Sequence, residues 1–354
     1  MSELLALAEE LCAVPSVSGD EGALADLVEA RLRGEAASLE VVRVANNVVA
    51  RTSVGAPVRV VLGGHLDTVP PNGNASPWRD GDVLHGLGSA DMKGGLAVLL
   101  DLARRVAVVP PARDVTFVFY EGEEVADEHN GLRRLFGHDP SLVNGDVAVL
   151  LEPTGGWLEA GCQGTVHVRA RYRGVRAHTA RPWKGRNAIH RAVGLLERVA
   201  SFEPATVAVD GLAYRESLQV VRVEGGVANN VVPDRCDVVV NRRFAPQREL
   251  DDVVAEVCAL AADADELEVL NASPAAPPNL GDPLVADLIA RFRLQVRPKL
   301  GWTDVARFAA AGIPACNFGP GDPELAHTAD ERVSAADLAR CAAVLGRFVG
   351  EPAG

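Results

Sequence analysis

The sequence has no paired cysteines, no stripe of basic residues and no long apolar run, and each absence removes a class of protein. Its 6 cysteines, Cys12, Cys162, Cys236, Cys258, Cys316 and Cys341, are scattered without a Cys-x-x-Cys pair. Neither a cysteine-built structural zinc site nor the dense disulfide framework of small secreted domains is expected. Although 48% of the residues are hydrophobic, no run approaches the roughly 20 consecutive apolar residues of a membrane-spanning helix. Met1-Ser2-Glu3-Leu4-Leu5 lacks the basic leader and apolar core of a secretory signal. The expectation is a cytoplasmic protein with no membrane partner. A formal charge of −13 repels phosphate backbones, so nucleic acid is not an expected partner either.

What is present begins with length. At 354 residues the chain exceeds what one hydrophobic core usually spans, which predicts two domains. Two helical patterns open it, 3–11 and 21–32, the second preceded by Ser18-x-x-Glu21 with the spacing of a capping box. A hairpin is predicted over 39–44 and 48–52, turning at Asn46-Asn47. Short continuous apolar runs at 58–62, 115–120 and 147–151 then alternate with helical stretches such as 94–106. That pattern predicts an α/β domain with a mixed, mostly parallel sheet carrying helices on both faces. Between 165 and 271 the order changes to strand 166–172, helix 188–199, strands 218–223 and 236–241, helix 250–261 and strand 267–270. This is the β-α-β-β-α-β order of a ferredoxin-like α+β unit. A Pro-rich stretch, 273–278, reads as a linker, and strand 313–318 and helix 335–349 rejoin the first domain. The predicted division is 1–164 with 272–354 as one discontinuous domain, and 165–271 inserted into it.

Chemistry-bearing residues stand after the apolar strands or in loops that follow them: His65 and Asp67, Asp91, Glu123-Glu124, Glu152 and His327. Open α/β sheets gather ligands outside the carboxyl ends of their strands, so these positions are predicted to converge. Taken singly, each has an ordinary reading: a strand-end histidine with a nearby acid is usually a satisfied pair, and a Glu-Glu pair is usually a solvated helix start. Their joint occurrence points elsewhere. Zinc accepts imidazole nitrogen and carboxylate oxygen, and two such ions about 3.5–4 Å apart share a bridging carboxylate. The set fits that stoichiometry, with Asp91 bridging, His65 and Glu152 completing one metal, and Glu124 and His327 the other. Asp67 is expected to accept the far N–H of the His65 ring. Glu123 is left as general base, with Glu121 the alternative. The single-zinc motif His-Glu-x-x-His is absent.

These stretches, Gly64 to Pro70, Gly86 to Gly95, Glu123-Glu124, Leu151 to Thr154 and Ala326-His327, resemble the co-catalytic zinc peptidase and acylamino-acid deacylase family, in the family's order and over nearly the whole chain. One departure is Gly122, where many members carry an acidic residue. The resemblance implies a hydrolase with two Zn2+ per subunit, for which Co2+ or Mn2+ can substitute, and a small anionic N-acyl amino acid as substrate. It further implies that the inserted domain is a lid and dimerisation element of a homodimer. There His178 stabilises the oxyanion, Asn229 and Asn230 contact substrate, and Arg243, favoured over Arg242, grips a substrate carboxylate. Phrases such as Glu159 to Gly164, Gly301-Trp302-Thr303 and Asn317 to Pro323 are similar to the branch that releases succinate from N-succinyl-diaminopimelate, with Gly301 and Thr303 as further substrate contacts. Acylamino-acid deacylation and dipeptide cleavage on the same scaffold are the alternatives, and a non-catalytic binding protein is the rival of a different class.

Overall fold

Strands Asp114–Tyr120 and Val147–Leu150 are buried at every position rather than at alternate ones, which requires cover on both faces of the sheet they belong to. In the computed structural model, which describes residues 3–350, that sheet has eight strands. Their order is Glu40–Val44, Asn47–Arg51, Asp114–Tyr120, Arg59–His65, Val147–Leu150, Ala315–Asn317, Leu158–Ala160 and Val296–Pro298. The sheet is mixed: the four strands at its centre run parallel, while the Glu40–Arg51 hairpin and the strand Leu158–Ala160 join antiparallel. Parallel pairing brings His65 level with Tyr120 and Gly63 level with Leu150. The loops leaving these strands therefore start at one edge.

Helix Lys93–Val108 lies at the centre of a helical layer, packed on Glu3–Ala13, Gly22–Glu35 and Ala335–Val349. Its first turn comes close to the sheet because Gly95 has no side chain; a Cβ there would stand 2.6 Å from the Leu151 carbonyl oxygen. That approach sets Asp91, two residues before the helix, beside the strand that leads to Glu152. The last helix of the layer starts from a serine cap, in which the Ser334 side chain accepts the Asp337 N–H.

The chain divides into two compact units. One takes the chain as far as Ala160, then Asn279–Arg297 and the part from Arg307 onward; the other takes Gly161–Pro278 and Pro298–Ala306. The second unit carries a four-stranded antiparallel sheet ordered Ser217–Gly225, Arg235–Phe244, Gly164–Arg173, Glu266–Ser273. Helices Ala188–Ala200 and Leu250–Leu260 pack their apolar faces on it, giving the ferredoxin-like arrangement. The unit boundaries differ from the sequence expectation for a local reason. Cys162 and Ala276 exchange two backbone hydrogen bonds, the Gln163 N–H donates to Lys299 C=O, and the Trp302 indole donates to Pro274 C=O. The Pro-rich stretch is thus paired backbone rather than a free linker, and it holds 298–306 in the second unit. A further hairpin, Thr206–Val209 with Leu212–Arg215, turns at Asp210-Gly211, both with positive φ (50 and 80), which is the Asp-Gly signature of a tight turn.

Candidate metal centre

Asp67 organises one side of the site. The Leu66 N–H donates to Tyr120 C=O at 2.7 Å, which carries the chain from His65 onto the end of the neighbouring strand. There the Asp67 carboxylate accepts the Glu123 N–H at 2.9 Å, the Glu124 N–H at 3.0 Å and the Ser18 hydroxyl at 2.7 Å. Burial alone would raise this carboxyl, but the His65 ring, the Glu123 N–H and Ser18 outweigh it and hold it below its usual range. Its relation to His65 departs from the sequence expectation. The nearer acceptor for the imidazole Nδ1–H is the Asp67 backbone carbonyl at 2.9 Å, with the carboxylate at 3.5 Å. Either way the Nδ1 side is engaged and Nε2 is turned toward Asp91, 3.1 Å from Oδ1.

Asp91 is where the remaining groups meet. Its Oδ2 lies 3.3 Å from His327 Nε2, which is also 2.8 Å from Glu124 Oε1. His327 reaches this point from a left-handed backbone, φ 63. Three sets of possible ligands have donor atoms within 4.8 Å of one another: His65, Asp91 and Glu152; Asp91, Glu124 and His327; and His65 with Glu123 and Glu124. Asp91 is common to the first two. All six predicted side chains, five ligands and Glu123, therefore gather in one place. Four carboxylates so close demand cations. Among the described groups the imidazoles fill that role: the Asp91 and Glu124 hydrogen bonds raise His327 to about 10. His65, despite burial, is held well above its ordinary value by Asp67 and Asp91. Burial works against the charged form of Asp91, yet the His327 and His65 hydrogen bonds win and push its carboxyl well down. Imidazole nitrogen and carboxylate oxygen are also the donors that zinc, cobalt and manganese accept, so the residues fit divalent metal ions.

Glu121 is occupied elsewhere. Its carboxylate accepts from the Asn47 side-chain amide at 3.1 Å and pairs with Arg134 at 3.1 Å. The reason Gly122 stands before the pair is visible too: its φ is 67, and a Cβ would lie 2.5 Å from the His129 carbonyl oxygen. A side chain there is excluded both by the left-handed backbone and by contact.

In the second unit, His178 is exposed and its Nδ1 accepts the Ala180 N–H at 3.0 Å, which leaves the proton on Nε2. Asn229 and Asn230 are exposed on the neighbouring loop, tied to it by the Thr179 N–H to Asn230 C=O bond of 3.0 Å. Arg242 is buried, bonded to Glu216 at 2.5 Å and to the Ser217 and Arg243 carbonyls. Arg243 projects from the opposite face of the strand and is half-buried. Gly301 is exposed, whereas Thr303 is buried, its carbonyl 3.6 Å from the Cys162 thiol.

The sequence matches peptidase family M20/M25/M40 over residues 61–351. The chain belongs to that family. It is 47% identical to the DapE protein of Mycobacterium tuberculosis strain H37Rv, over 97% of each chain. It is 42% identical to the succinyl-diaminopimelate desuccinylase of Corynebacterium glutamicum, over 99% of this chain and 97% of that one. Of solved structures, the M20 family metallo-carboxypeptidase Sso-CP2 of Sulfolobus solfataricus superposes with a TM-score of 0.81 at 16% identity, covering 99% of both chains. At that identity the likeness speaks for the fold of this M20 chain.

One participant escaped the sequence reading. Ser18 has the spacing of a helix cap, yet the Gly22–Glu35 helix has no side-chain cap, and the serine instead donates to Asp67. A partner 49 residues away leaves no trace in local spacing.

Proposed function

We propose that this chain hydrolyses N-succinyl-LL-2,6-diaminopimelate to succinate and LL-2,6-diaminopimelate, using two divalent metal ions, zinc in the first instance. The observation that carries the hydrolytic reading is the meeting of His65, Glu124, Glu152 and His327 around Asp91. The substrate reading is supported by 42% identity across nearly all of the Corynebacterium glutamicum desuccinylase. In this reading His65 and Glu152 would hold one ion and Glu124 and His327 the other, with Asp91 available to both. When bound, the metals supply Lewis-acid chemistry, lowering the pKa of water toward about 7 and polarising the amide carbonyl.

The remaining work belongs to the chain. Glu123 takes a proton from the attacking water onto its carboxylate and returns it to the departing nitrogen as the C–N bond breaks. Asp67, by fixing the Glu123 N–H, keeps that carboxylate from drifting. His178 offers its Nε2–H to the carbonyl oxygen as negative charge grows there, an interaction that strengthens in the transition state and so accelerates the reaction. We infer that it does so from the second subunit of a homodimer. Arg243 takes a substrate carboxylate in its planar fork, with Asn229, Asn230, Gly301 and Thr303 as neighbouring contacts. Six free cysteines accord with a reaction in the reducing cytoplasm. Among the described residues no helix is long and apolar enough to cross a membrane.

Glu123→Ala is expected to bind two metal ions per chain and to lose hydrolysis by at least about a hundredfold. Metal analysis beside turnover of succinyl-diaminopimelate, acetylornithine and a dipeptide checks this. Undiminished turnover in the variant removes Glu123 from the mechanism, and preference for either other substrate removes the desuccinylase reading.

A further inference from the structure

Four residues after His327 stands a carboxylate that the chemistry above does not use. Glu331 is 1% exposed, and burying a carboxylate is costly unless hydrogen bonds replace water. Three do. The Gly88 N–H donates to its Oε2 at 3.0 Å, and the Ala90 and Asp91 N–H groups both donate to its Oε1 at 2.9 Å. The Glu331 backbone carbonyl also accepts the Gly86 N–H at 3.1 Å. A second stitch runs alongside: the Asn74 side-chain amide donates to Thr328 C=O at 3.1 Å, and the Leu87 N–H donates to Asn74 C=O at 2.9 Å. The segment that carries His327 is thereby sewn to the loop that carries Asp91, at both ends.

We propose that Glu331 is a positioning residue that fixes Asp91 relative to His327 and so sets the affinity of the metal ion these two share. A carboxylate needed only to brace a turn has no reason to collect the amides of one loop that ends at the common ligand, nor to sit on the segment of the other ligand. By contrast His65 is held through Asp67 on a different pair of strand ends, so the ion of His65 and Glu152 leans on Glu331 through Asp91 alone. Removing Glu331's charge is therefore expected to loosen one ion more than the other. Partners that orient ligands commonly contribute about 10–100-fold in metal affinity.

The inference rests on the two-metal reading, and the test separates them. Full-length protein stripped of metal is titrated with Co2+ by calorimetry and by its visible absorption. The parent chain is expected to bind two ions. Glu331→Gln, which keeps the shape and replaces one acceptor oxygen by a donor, is expected to bind the first within about threefold of the parent and the second at least about tenfold more weakly, with an altered cobalt spectrum and an unchanged circular dichroism spectrum. Equal binding of both ions overturns the proposal, as does equal weakening of both together with a fall in the thermal midpoint. If Glu331→Gln does not fold, Glu331→Asp, which keeps the charge and shortens the reach, is read the same way; failure of both to fold makes Glu331 a folding residue and also overturns it. A parent chain that binds no cobalt overturns the two-metal reading itself.

Discussion

His327 shows what a single residue at this site must do. Without metal its ring is paired with Asp91 and Glu124, which raise it to about 10, and His65 is raised as well. The His327 ring is then protonated at pH 7, whereas an imidazole that holds a metal ion must be neutral. Metal binding at pH 7 is expected to release the His327 proton, seen as a dependence of the calorimetric heat on buffer ionisation, and affinity is expected to rise with pH. Heat that is the same in every buffer would refute this. For stability the sign is opposite in the metal-free chain. A group whose pKa is raised by folding stabilises fully below its unfolded value, near 6.5, and that contribution fades as pH climbs through the folded value. The convergence of His65, Asp91, Glu124, Glu152 and His327 was legible in the sequence because metal chemistry restricts the residue types and parallel strands restrict where loops begin. The far partner of the His65 ring was not, since a backbone carbonyl has no letter.

At the scale of elements, strand Arg235–Phe244 resolves the two adjacent arginines by its period of two. Cys236, Val238, Val240 and Phe244 face the helices, so Arg242 must enter that core while Arg243 faces away. The cost of placing Arg242 there is met by Glu216 at 2.5 Å and by stacking over Phe202 at 4.8 Å. Breaking a buried pair on one side leaves an unpaired charge and costs about 3–5 kcal/mol. Arg242→Met is therefore expected to lower stability by that amount in denaturant unfolding. Arg243→Met is expected to leave stability within about 0.5 kcal/mol and to raise KM for the succinylated substrate. The reverse pattern would exchange their roles. Alternation made this register readable from the sequence. The Thr206–Arg215 hairpin was not read from the sequence although Asp210-Gly211 signals its turn, and the pairing of Cys162 with Ala276 was hidden by the prolines around it.

For the molecule as a whole, the carboxylates of the site belong to the first unit, so metal and folding are coupled there. An ion present at about a hundred times its dissociation constant stabilises the folded state by about 2.7 kcal/mol. Chelation is expected to lower the unfolding midpoint of the unit that holds Asp91 and to leave that of the second unit in place, which calorimetry with and without chelator can follow. A thermogram indifferent to chelator would count against resident metal. The central strands of the first unit and the β-α-β-β-α-β order of the second followed from hydrophobic periodicity, but helices Gly131–His138 and Pro283–Phe292 were not read from it, and neither were the exact unit boundaries, which depend on a few backbone bonds.

The grip of Asp67 falls on the backbone N–H groups of positions 123 and 124, which every amino acid but proline supplies. What those two positions spell is consequently decoupled from where they stand. A shorter acid at 124 inherits the same perch, which makes this loop a place to retune the appetite for metals without redrawing its backbone.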